Sequence, residues 1–131
     1  MASVRVERTD DGGFIARNDR GGEVVIGGTD LPGGFTPVEL LLAAVGGCNI
    51  VTVEPLTAQR GHRLTRLAMD VTAEKVAPTL LGPVTVDYDV ELPADDPEAA
   101  AVYEAVAERV HTRACTVSRS LSQGTEVGIV T

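Results

Sequence analysis

From Val84 to Leu92 apolar and polar residues alternate without a break. That period of two marks a strand with one face on a core and the other in water. Residues 67–74 follow the same pattern, with the odd positions apolar, and residues 78–83 turn the chain between the two strands. The beginning of the chain reads as a meander of three short strands at residues 4–8, 14–17 and 23–26. The turns between them are marked by Thr9-Asp10-Asp11-Gly12-Gly13 and Asn18-Asp19-Arg20-Gly21-Gly22. Residues 27–35, rich in Gly and Pro, form a loop.

A helix opens sharply after that loop. Thr36 suits the N-cap, Pro37 the first helical position, and Glu39 stands where a capping box places its acid. Residues 38–53 present no polar face, and such a helix has to be covered on every side. One sheet in so small a protein cannot provide that cover, which implies a second copy of the chain. Pro55 should end or kink the helix, with Gly61 closing any continuation. Asp96-Pro97 caps a second helix, in which Val102, Val106 and Val110 recur every four positions. After Arg113 a short helical segment holds Cys115 and ends near Gly124, and residues 126–130 read as a last strand. The order βββ-α-ββ-α-α-β predicts an α+β fold with an antiparallel sheet.

The 131 residues are expected to form one domain, residues 1–131. With no Trp, two Tyr and two Phe in the chain, the core must rely on Val, Leu and Ala, and a subunit interface would thicken it. A net charge of −8 argues against nucleic acid, whose phosphates need a basic face, and against an anionic membrane surface. The N-terminus lacks the apolar run of a signal peptide. The apolar stretch at 38–53 contains Glu39 and is shorter than the ~18 residues expected of a spanning helix. A cytoplasmic location is expected.

Two cysteines in that compartment should be reduced thiols at rest. Cys48 and Cys115 form no CxxC, which excludes a zinc ribbon or a thioredoxin motif. They are either two inert buried thiols or a redox couple that cycles. Cys48 follows Gly46-Gly47 in mid-helix, where each glycine costs about 1 kcal/mol relative to Ala; adjacent glycines there mark a place of close approach. Mid-helix placement gives Cys48 no helix dipole, so its thiolate needs a nearby cation. Cys115 lies near a helix start, where free N–H groups favour a thiolate. His111 and Cys115 are four apart, but no further ligands cluster with them, so no metal and no cofactor is expected. His62 and His111 read as surface residues flanking helix ends.

The stretch Phe35-Thr36-Pro37-Val38-Glu39-Leu40-Leu41-Leu42-Ala43-Ala44-Val45-Gly46-Gly47-Cys48 resembles the central helix of the OsmC/Ohr family. The segment Cys115-Thr116-Val117-Ser118-Arg119-Ser120-Leu121 resembles its second cysteine motif, and the likeness covers nearly the whole chain. The resemblance implies an intertwined homodimer whose antiparallel sheets wrap two central helices. It implies a thiol-dependent peroxidase reducing organic hydroperoxides, with Cys48 peroxidatic and Cys115 resolving. A dithiol, lipoyl in some members, would reduce the resulting disulfide. In the family a glutamate beside the helix-start proline holds the site's arginine. Here Val38 follows Pro37 and Glu39 comes one place later, two and a half turns from Cys48 and on the opposite face, where it could serve the partner's cysteine. The family's arginine sits in the first hairpin turn, and residues 9–13 contain none. Arg8, Arg17 and Arg20 are the nearby candidates, with Arg17 favoured. The rival reading is a non-catalytic stress protein of the same fold that binds a small apolar ligand at the dimer interface.

Overall fold

The computed structural model describes residues 1–130 and divides into two compact units, one of residues 1–41 and one starting at Leu42. The boundary falls inside the first helix. Each unit is built around its own antiparallel sheet, and with three α-helices the chain is α+β as the alternation of periods predicts.

In the first unit β1 (Arg5–Arg8), β2 (Phe14–Arg17) and β3 (Glu23–Ile26) form the expected meander in the order β1-β2-β3. Arg5 faces Arg17 across the first pair and Phe14 faces Ile26 across the second. Gly12 and Gly21 each take a φ of 86° in the two turns, a left-handed conformation that a side chain would strain. Ile15 is the buried residue of this sheet. Arg17 pairs across both strand boundaries, with Glu7 on β1 and Glu23 on β3.

Helix α1 runs Pro37–Gln59, six residues past the apolar stretch read from the sequence, and Pro55 does not end it. Pro55 and Val51, whose carbonyl loses its helical partner, both lie on the exposed side. The missing bond therefore falls where water can replace it. The helix stops at Gly61, whose φ is 77°, with the His62 N–H closing on the Thr57 carbonyl at 3.0 Å. By length and composition α1 could cross a bilayer. In this fold its buried residues Val45, Asn49, Val53 and Thr57 instead lie four apart on one stripe.

Strands β4 (Arg66–Ala77) and β5 (Leu80–Glu91) make a two-stranded ribbon, longer than the alternation alone marks out. The turn between them is only Pro78-Thr79, and Pro83 lies within β5, where a turn was expected. The register explains how. Ala73 pairs with Val84 and Lys75 with Leu81, so Gly82 and Pro83 together oppose Glu74 in a bulge. A proline without an N–H is tolerated in such a place.

Helix α2 (Ala99–Arg109) begins after Asp96, whose carboxylate accepts the Glu98 N–H at 3.2 Å. A π-helical turn at Val110–Ala114 follows, then α3 (Thr116–Gln123), which Gly124 closes at φ 71°. The last strand expected at 126–130 is absent: these residues have no strand pairing in the chain by itself, and Val127, Ile129 and Val130 are exposed. An extended segment becomes a strand only against an edge, and this one meets none within its own chain. The core of the second unit gathers Val53, Leu64, Val106, Val110 and Cys115. It is a core of branched aliphatic side chains, as the composition requires.

Candidate functional site

The two cysteines meet in this core, although α1 and the head of α3 are remote in sequence. Gly46, two residues before Cys48, bears on how β4 packs against α1. A Cβ there would come within 2.9 Å of Val71 Cγ2 on β4, so the strand approaches α1 where the side chain is missing. Gly47 faces open space, and that approach does not explain it.

Cys115 is placed by the change of helix type before it. The π turn carries its N–H to the Val110 carbonyl at 2.8 Å, and the residue then turns extended (φ −81°, ψ 102°) to serve as N-cap of α3. Its sulfur accepts the Ser118 N–H at 3.4 Å and lies 3.1 Å from Ser118 Oγ and 3.6 Å from Asn49 Nδ2. Asn49 is 1 % exposed and fully engaged: Nδ2 also donates to the Val45 carbonyl at 2.7 Å, and Oδ1 accepts the Tyr88 hydroxyl at 3.2 Å. Tyr88 packs edge-on to Tyr103 with ring centroids 5.9 Å apart. Burial, with Tyr103 and Cys115 beside it, pushes the Tyr88 phenol up to about 12, so at neutral pH it is a donor.

The sulfurs are unequal. Cys115 is wholly buried, while Cys48 is partly exposed. Burial pushes the Cys48 thiol up, and its hydrogen bond to Cys115 raises it further, against the lowering effect of the Val117 and Thr116 N–H groups. Burial also opposes ionisation of Cys115. Hydrogen bonds from Cys48, the Ser118 side chain and N–H, and the Val117 N–H together outweigh it, and that thiol lies below its ordinary value. Of the two sulfurs, Cys115 is the one whose ionisation the surroundings favour. Cys48 has no dipole from its own helix, as expected, but the backbone N–H groups of Thr116 and Val117 at the start of α3 lower its thiol against the larger effect of burial.

Glu39 is exposed and sits in the expected capping box, its Oε1 accepting the Thr36 N–H at 2.8 Å while Thr36 Oγ1 accepts the Glu39 N–H at 3.1 Å. Glu39→Gln preserves both bonds, so its stability should stay within about 0.5 kcal/mol of the wild type, whereas Thr36→Ala should cost about 1 kcal/mol. Thermal melts check both, and any change of thiol reactivity in Glu39→Gln then reports its charge alone. Arg17 is taken up by Glu7 and Glu23, Arg20 pairs with Asp19, and Arg8 ends β1. His111 is exposed in the π turn, but His62 is not a loose surface residue. Its Nδ1 meets Asp96 Oδ2, its side chain is 18 % exposed, and it holds the Asp96 carboxyl below the usual range.

Sequence reasoning missed Asn49, Tyr88 and Ser118. Asn49 left a signal, being the amide beside Cys48 in an otherwise apolar run, spaced four residues from Val45 and Val53. Tyr88 gave none, because on an alternating strand its position asks only for an inward apolar ring.

The model of the OsmC-like protein family matches residues 27–130. An uncharacterised protein of Mycobacterium tuberculosis is 33 % identical over 136 residues, covering 98 % of this chain and 95 % of its own. The crystal structure of an OsmC-like protein from Mycoplasma pneumoniae superposes with a TM-score of 0.69 at 19 % identity, over 94 % of this chain and 87 % of that one. An OsmC-like hydroperoxide resistance protein from Jannaschia superposes at 0.50 with 17 % identity, over 88 % and 78 %. At those identities the superpositions establish the fold alone. With a family match over most of its length and a one-third-identical relative spanning nearly all of it, the chain belongs to the OsmC-like family.

Proposed function

We propose that this protein is a thiol-dependent peroxidase that reduces organic hydroperoxides through Cys48 and Cys115. The observation that carries the reading is the pair itself: two thiols remote in sequence brought close together at one core cluster, one partly exposed and one buried. Cys48, partly exposed, first gives up its proton to water. The Cys48 thiolate attacks the outer peroxide oxygen, the O–O bond breaks, and the alkoxide takes a proton and leaves as an alcohol. Cys48 is then a sulfenic acid. Cys115 loses its proton and attacks the Cys48 sulfur, expelling hydroxide, which leaves as water once protonated. A dithiol, such as a lipoyl group, returns the disulfide to two thiols. Cys48 packs against an apolar core cluster of Val53, Leu64, Val106 and Val110, surroundings that suit a hydrocarbon peroxide better than hydrogen peroxide. The Jannaschia neighbour, named for hydroperoxide resistance, is consistent with this chemistry.

The test is a titration of free thiols before and after one equivalent of cumene hydroperoxide, with the alcohol measured. Both thiols should disappear as one alcohol forms. The raised Cys48 thiol favours a second reading, a stress protein of the same fold that binds a small apolar ligand and keeps its thiols. Thiols that survive the peroxide would select it.

The working protein is proposed to be a cytoplasmic homodimer. Ala43, Ala44 and Val51 of α1 are exposed in the single chain, an apolar face that a second copy would cover. Sedimentation at low micromolar concentration should give a dimer that separates only on unfolding. A folded monomer under those conditions would remove this part of the reading.

A further inference from the structure

The reading above treats the sulfurs as a pair but leaves open how the disulfide is opened again. That depends on which sulfur the reductant reaches and which one leaves, and the surroundings of Asn49 bear on both. Its orientation is not arbitrary. The Val45 carbonyl can only accept, so the amide nitrogen faces it at 2.7 Å, and the Tyr88 hydroxyl donates to the oxygen on the other side. The second Nδ2 hydrogen is thereby aimed at Cys115 Sγ, 3.6 Å away, and Ser118 Oγ, 3.4 Å away. In the thiol, Cys115 Sγ donates to Ser118 Oγ at 3.1 Å; a thiolate or disulfide sulfur has no proton to give, and the Ser118 hydroxyl then turns to donate to it. With the Asn49 amide and the Ser118 N–H at 3.4 Å, the deprotonated Cys115 sulfur then has three protein donors around it. All sit on packed elements, and no described buried side-chain nitrogen or oxygen is left unpaired.

We infer that Asn49, with Ser118, is a positioning residue that holds the Cys115 sulfur as the leaving group of the pair, so that the Cys48–Cys115 disulfide opens by attack at the Cys48 sulfur. The inference rests on the reading that the two thiols cycle. In thiol–disulfide exchange the better-stabilised thiolate leaves faster, and access decides which sulfur is struck. Both criteria agree here, since Cys115 is wholly buried and carries the donors, while Cys48 is partly exposed. A thiolate of the reductant forms a bond to Cys48 Sγ, the bond to Cys115 Sγ breaks, and Cys115 departs as a thiolate. The reductant's second thiol, deprotonated, attacks the reductant sulfur of the mixed disulfide. Cys48 leaves and takes a proton, and two electrons have passed from dithiol to protein.

The experiment closes the disulfide with diamide, which asks nothing of peroxidase activity. The protein is then exposed briefly to a monothiol, 2-mercaptoethanol, quenched with an alkylating agent, and its peptides are weighed. The adduct should fall on Cys48 over Cys115 by about tenfold or more. In the Cys48→Ser background the ultraviolet absorbance of the thiolate follows Cys115 directly. Asn49→Leu and Ser118→Ala should each move its titration upward by about one pH unit, while Ser118→Thr, which keeps the hydroxyl, should restore it. If Asn49→Leu does not fold, the Ser118 variants carry the same test. An adduct mainly on Cys115, or a titration indifferent to the variants, overturns the inference. Closure by diamide but not by hydroperoxide, with the adduct on Cys48, overturns the peroxidase and leaves the inference standing. Closure by neither reagent removes both.

Discussion

Cys48→Ser should abolish hydroperoxide consumption, a fall on the order of 10³-fold or more, because it removes the nucleophile itself. Cys115→Ser should behave differently. Cys48 is still there to attack the peroxide once, so one equivalent of alcohol is released and the sulfenic acid then accumulates. Dimedone trapping and mass measurement should find it on Cys48 in this variant and find little in the wild type, where Cys115 closes the disulfide. Sulfenic acid on Cys115 instead would reverse the proposed roles. The pH dependence has a definite sign. Burial and the bond to Cys115 raise the Cys48 thiol, so alkylation of Cys48 should still be climbing at about pH 8.5, where an ordinary thiol is already half ionised. Cys115 is lowered, so the thiol that resolves the sulfenic acid ionises before Cys48 as the pH rises. A Cys48 that is fully reactive well below neutral pH would mean that a cation reaches it, and alanine variants of Arg8, Arg17 and Arg20 would then identify the donor.

Much of the fold was legible because its signals are local. The capping box at Thr36, the alternation from Val84 to Leu92 and the left-handed glycines at the turns each act within a few residues, and the structure keeps them. The misreadings arise where a rule depends on what lies beside the element. Pro83 breaks a strand only if no bulge receives it, and the helix runs on past Pro55 to the Gly61 stop because the missing bond faces water. Residues 126–130 alternate like a strand, but the edge they would need is not supplied by the chain alone. The same limit governs the site. Cys48 looked isolated from any dipole because its own helix offers none, and the N–H groups that lower its thiol belong to an element far along the chain. The placing of Cys115 at the start of a short helix was legible, because an N-cap is again a local matter. The Tyr88–Asn49 bond was not, since it joins a strand to a helix through side chains whose separate patterns announce neither partner.

Val53→Ala should be among the most damaging conservative changes in the core, costing about 2 to 3 kcal/mol. Val53 is fully buried on the stripe of α1 that carries Asn49, and it packs in one cluster with Leu64, Val106, Val110 and Cys115. Truncation removes two methyl groups, worth about 1.6 kcal/mol of transfer free energy, and the rest comes from the cavity that remains. The neighbours cannot easily fill it. Val106 and Val110 are stiff at χ1, and Cys115 is held by its N-cap geometry and its bonds to Ser118. The whole protein should lose only about 5 to 15 kcal/mol on unfolding, so the change removes a sizeable share and should lower Tm by roughly 10 °C. Melts of wild type and variant belong at one protein concentration, because a dimer's Tm shifts with it. Val106→Ala should cost a similar amount, and the double variant should depart from the sum of the two, since both side chains border the same space. A loss below about 0.5 kcal/mol for Val53→Ala would mean that the cluster collapses freely. The Cys115 sulfur would then be less firmly held than its packing and hydrogen bonds imply.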